Sequence, residues 1–124
     1  MFEFPAKVKG YTQSSLIGTS ESSCPISKMA PGMPIQIGFE LSDASLIAQA
    51  SPLFVMVDRI IDPTHLMQTY QHLYALKVGP NVVTVNSTLE AGQYNVTYGF
   101  YLRSELDAEY PKFHARTCKV EISA

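Results

Sequence analysis

The stretch Gln93-Tyr94-Asn95-Val96-Thr97-Tyr98-Gly99-Phe100-Tyr101-Leu102 places large apolar residues at every second position, with Gln93, Asn95, Thr97 and Tyr101 between them. Successive side chains of a strand point to opposite faces, so this pattern is that of a strand with one buried face. The same alternation recurs at Ile35, Ile37, Phe39 and Leu41, set against Gln36, Gly38 and Glu40. It appears again at Cys118, Val120 and Ile122, and at the start of the chain in Phe2, Phe4, Ala6 and Val8. Pro5 lacks an N–H, which suits that first segment to a sheet edge.

Two further segments read as strands. Leu53–Ile61 is apolar on both faces, as expected of a central strand or one lying under a partner. Val82–Leu89 is rich in β-branched residues and lies between the turn signals Gly79-Pro80-Asn81 and Glu90-Ala91-Gly92. These segments predict a mainly β fold, a two-sheet antiparallel sandwich of immunoglobulin-like or jelly-roll type. Its core should include Phe4, Ile35, Ile37, Phe39, Val55, Val57, Val83, Val85, Val96, Tyr98, Phe100, Val120 and Ile122. The whole chain, 1–124, is expected to form one domain with a Ser-rich arm or loop at 11–33.

Asp62–Val78 is ambiguous. Asp62-Pro63 suits a helix N-cap and first turn, and Leu66, Met67, Tyr70, Leu73 and Tyr74 follow helical spacing. A short helix near 63–76 is therefore expected, with a strand pairing of Leu73–Val78 as the alternative.

Composition excludes several classes. With 46% hydrophobic and 16% charged residues and a net charge of −2, the chain lacks the basic patch of a nucleic-acid binder. The low charge leaves neutral surface free for protein contact. The longest uncharged apolar stretch, Ala44–Val57, is too short to span a bilayer and contains Gln49 and Pro52. No basic region followed by an apolar run opens the chain, so no signal peptide is expected.

No spacing assembles a catalytic set. His65, His72 and His114 form no metal-binding pattern and read as surface or interface residues. Glu105, Asp107 and Glu109 sit beside Tyr110-Pro111 in an expected exposed turn. Asn86-Ser-Thr and Asn95-Val-Thr match the glycosylation acceptor pattern but fall in expected strands. No catalytic residue, metal or cofactor is expected, and the chain reads as a non-enzyme. Cys24 and Cys118 either bridge the Ser-rich segment to the last strand or remain thiols, with Cys118 in the core. The candidate interface comprises Phe54, Met56 and Ile60 on the second face of Leu53–Ile61, together with Tyr101.

Gly92-Gln-Tyr94-Asn-Val96 followed by Cys118-Lys-Val120-Glu-Ile122 resembles the closing strands of MD-2-related lipid-recognition domains over about thirty residues. Those are secreted β-sandwiches that hold lipid between their sheets. The resemblance is one of shape and transfers no residue role, because that family carries further cysteine pairs which this chain lacks.

The low charge, the two-faced strand and the long arm together predict a structural protein. The expected type is a virus or phage virion component (capsid, vertex, decoration or tail protein) in a homo-oligomer or larger assembly, made in a host cytoplasm. A secreted or periplasmic binding sandwich, an adhesin subunit or lipid-binding module, is the alternative.

Overall fold

The computed structural model describes residues 10–24, 27–86 and 88–123. The expected first strand, Phe2 to Lys9, and the expected core residue Phe4 lie outside them. The described strands are β1 (Thr12–Ser15), β2 (Thr19–Ser23), β3 (Lys28–Met29), β4 (Ile35–Leu41), β5 (Leu53–Asp62), β6 (His65–Tyr74), β7 (Gly79–Val85), β8 (Gly92–Tyr101) and β9 (Lys112–Ile122). Short 3-10 turns occupy Ala44–Leu46 and Arg103–Glu105.

The strands form two sheets. The larger runs β1-β9-β8-β5-β6, with β3 also on β9, and the smaller runs β2-β4-β7. The fold is mainly β with two sheets, but it is not wholly antiparallel. Both β1 and β3 lie parallel to β9, pairing Thr12 with Lys112 and Lys28 with Glu121. These are the serine-rich pieces read as an arm at 11–33. Instead of extending away, they close the free edge of β9 and give β2 to the second sheet.

One core lies between the sheets, and every described member of the expected core is buried in it. Alternation dictates the contact: Ile35, Ile37, Phe39 and Leu41 of β4 meet Leu53, Val55 and Val57 of β5 and Tyr94, Val96, Tyr98 and Phe100 of β8. The rings of Phe39 and Tyr98 stack across the gap with centroids 5.8 Å apart. Cys24, just after β2, is bonded to Cys118 of β9. The bond therefore ties the smaller sheet to the larger.

The expected helix near 63–76 is a strand. Asp62 begins a turn, not a helix: its Oδ1 accepts from the Thr64 N–H at 2.8 Å and from the Thr64 hydroxyl at 2.8 Å. Such side-chain-to-backbone bonding is what makes aspartate both a helix cap and a turn residue. The chain then returns antiparallel along β5, with Ile60 opposite Leu66 and Leu53 opposite Tyr74. The helical alternative would have left β5, apolar on both faces, without a neighbour on that side.

Candidate protein-interaction edge

β6 ends the larger sheet, so among the described residues one full side of its backbone has no strand partner. Edge strands present a row of N–H and C=O groups to any extended chain that approaches. Natural sheets blunt such edges with lysines, prolines, inward charges, bulges or very short strands, and of these β6 has only a bulge at Thr69. β6 is ten residues long, and from Leu66 to Leu76 the chain holds neither a charge nor a proline. Its side chains are exposed on both faces: Leu66 is 56% exposed, Met67 48% and Leu73 48%.

Local bonds hold the strand in shape. A bulge sets Val57 opposite Tyr70 and Asp58 opposite Gln68, leaving Thr69 as the extra residue. Its hydroxyl donates to the Val57 carbonyl at 2.9 Å. On the face toward the smaller sheet, the hydroxyls of Tyr70 and Tyr74 are hydrogen-bonded across the ring of His72, whose centroid lies 4.8 Å from that of Tyr74. Burial, and then the bond to Tyr70, pushes the Tyr74 hydroxyl up to about 12, so it stays protonated. On the outer face the Gln68 amide donates to Gln71 at 2.7 Å. At the turn, hydrogen bonds from His65 and then from Thr64 hold the Asp62 carboxyl below its ordinary value.

A cleft of about 280 Å³ opens beside β6, between Met67 and Thr69 on one side and Leu89 and Glu90 on the other. Arg59 fixes its far wall, donating to Glu90 Oε2 at 3.0 Å and to the Ala91 carbonyl at 3.1 Å. Tyr94 donates from its hydroxyl to the Glu90 carbonyl at 2.7 Å. The loop that borders the edge is therefore tied down by β5 and β8.

The residues read as an interface fall in two places. Phe54, Met56 and Tyr101 meet Phe113, Ala115 and Leu106 in a second cluster on the outer face of the larger sheet. Tyr11 leans on it, with its ring 5.3 Å from that of Phe113. Phe54 and Tyr101 meet edge to face at 5.4 Å. The second face of β5 is thus covered there by the chain itself. Ile60 lies apart, in a shallow cleft with Lys28, Gln93 and Lys119.

Burial raises the Tyr101 hydroxyl to about 12, with the Tyr11 hydroxyl adding to the shift. The unfolded phenol ionises near its ordinary value of about 10. Stability from this group is therefore fully present below pH about 10 and is lost as pH rises towards 12. Replacing Tyr101 by Phe should flatten that alkaline decline, measured as denaturation midpoint against pH.

His114 is also a correction: it is 4% exposed, not on the surface. Its Nε2 is bonded to a carboxylate oxygen of Glu105, in the loop expected to be fully solvated, while its Nδ1 is buried without a hydrogen-bond partner. His65 and His72 are exposed. Among the described residues no three His, Cys, Asp or Glu side chains gather to hold a metal ion. No helix among them is long and apolar enough to cross a membrane. The acceptor pattern at Asn95 lies within β8, where Thr97 is buried and bonded to the Thr117 hydroxyl, whereas Asn86 follows β7 and is exposed.

The molecule is a mainly β, two-sheet, disulfide-bonded chain whose edge strand β6 has no strand partner on its outer side among the described residues. No family model matches it, and neither does any curated protein. Solved structures with a similar arrangement include the superoxide reductase (neelaredoxin) of Ignicoccus hospitalis, at 8% identity over 85% of this chain and 82% of that one, with a TM-score of 0.42. A single-residue variant of the same reductase matches at 9% identity over 83% of this chain and 78% of that one, also with a TM-score of 0.42. Those proteins are enzymes by name; a likeness this weak transfers neither activity nor site.

The virion expectation is corrected by the structure: the features that suggested a capsid part are used within the chain. β5 is covered by the second cluster, and the serine-rich segment is taken up by β1, β2 and β3. The lipid-binding alternative is set aside with it, since the described gap between the sheets is filled by packed side chains such as Phe39 and Tyr98.

Proposed function

We propose that this chain is a binding domain of an oxidising compartment, secreted or periplasmic, which joins a protein partner by adding the partner's strand to β6. The observation that carries the reading is the ten-residue edge strand, with neither charge nor proline from Leu66 to Leu76. Main-chain hydrogen bonds along such an edge supply affinity, and side chains at alternate positions supply selectivity. The bulge bond of Thr69 and the Tyr70–Tyr74 bond hold β6 extended before a partner arrives, which lowers the ordering entropy of association. The Cys24–Cys118 bond supports the compartment, since disulfides persist outside reducing cytosol.

A display library of unstructured ten-residue peptides tests the reading on the full oxidised chain. Enriched peptides should bind wild type and lose at least about tenfold in affinity to Leu66→Lys/Leu73→Lys. Both side chains are about half exposed, so the double variant should melt within a few degrees of wild type. Peptides that bind the lysine variant as tightly as wild type would remove β6 as the binding surface.

A further inference from the structure

We infer that the strand which docks on β6 is β6 of a second copy of this chain, paired antiparallel about a two-fold axis between Thr69 and Tyr70. The inference rests on the strand-addition reading above and names its partner. Its basis is that β6 is self-complementary about that one point. Outward from the axis, Thr69 faces the partner's Tyr70, Gln68 the partner's Gln71, and Met67 the partner's His72. Leu66 then faces the partner's Leu73.

The bulge makes this register consistent in space. Cross-strand partners in an antiparallel pair share a face. Pairing with Ile60 and Asp58 puts Leu66 and Gln68 on the same face as Gln71 and Leu73, which pair with Met56 and Phe54. Without the extra residue Thr69, the two halves of β6 would present opposite faces. With it, Leu66 meets Leu73 and Gln68 meets Gln71 on one side of the joined sheet, while Met67 meets His72 on the other. An isologous contact requires this kind of agreement, each patch being its own complement.

Charge agrees with the register. The paired stretch carries no charge that would repel its copy.

Two experiments on the full oxidised chain decide it. Leu66→Cys and Leu73→Cys are prepared separately, and each is oxidised mildly, alone and mixed. Facing Cβ atoms in an antiparallel pair lie about 4.5–5.5 Å apart, close to what a disulfide spans. The register predicts covalent dimers in the mixture and none from either variant alone. Dimers from one variant alone, or none from the mixture, would overturn it. Sedimentation then reads association itself: Leu66→Lys/Leu73→Lys should weaken it at least about tenfold. Melting of the double variant shows that the fold has survived. A wild-type monomer at millimolar concentration overturns the second copy as partner. In that case, library peptides that still bind at β6 leave strand addition standing, and their failure to bind removes both.

Discussion

Reducing the Cys24–Cys118 bond is expected to destabilise the chain by about 4–5 kcal/mol. The bond joins residues 94 apart in sequence. In the loop-entropy account, opening a loop of that length returns about 4–5 kcal/mol of freedom to the unfolded chain. The bond also connects the two sheets, so the interface across Phe39 and Tyr98 loses its covalent limit on separation. For a chain of this size the melting midpoint should fall by on the order of 15 °C in reductant. An unchanged midpoint, with both thiols shown to be free, would contradict the role given to the bond. Cys24 is exposed while Cys118 is 3% exposed, so reduction should proceed without prior unfolding at the Cys24 sulfur.

Gly99→Ala is expected to be nearly as severe, about 3 kcal/mol. Gly99 lies in β8 between Phe54 of β5 and Ala115 of β9. A Cβ built there would stand 2.3 Å from the His114 carbonyl oxygen, 2.5 Å from the Ala115 Cβ and 2.6 Å from the Ala115 Cα. Two of these are backbone atoms, which cannot rotate aside as a side-chain end could. Overpacking a dense region costs about 1–3 kcal/mol, and a clash with paired strands belongs at the upper end. Equilibrium denaturation of Gly99→Ala measures it; a loss below about 1 kcal/mol would show that β8 and β9 can separate locally.

The parts of the fold legible in sequence were those where one physical demand acted alone. Ile35–Leu41 and Tyr94–Phe100 alternate because each has one face in the core, and period two admits no other regular element. Asp62–Tyr74 was misread because Asp-Pro-Thr serves a turn as well as a helix start, and β6 has no buried face to impose alternation. One feature of the edge was legible nonetheless: eleven consecutive uncharged residues, Leu66–Leu76, which leave it without a guarding charge. The parallel strands β1 and β3 could not be read, since short serine- and threonine-rich pieces have no pattern and depend on the edge that β9 offers. Tyr101 was placed correctly on the outer face of its strand, but the cover from Tyr11, ninety positions away in sequence, is a tertiary fact. The bulge at Thr69, which sets the faces of β6, is equally invisible without its partner strand.

The central claim is that β6 accepts another strand. Amide hydrogen exchange, read by mass spectrometry on the full oxidised chain with and without a saturating library-selected peptide, tests it most directly. Strand addition predicts new protection confined to the segment 65–74, where backbone groups now exposed become hydrogen-bonded. Protection that appears elsewhere while 65–74 exchanges as before would contradict the claim.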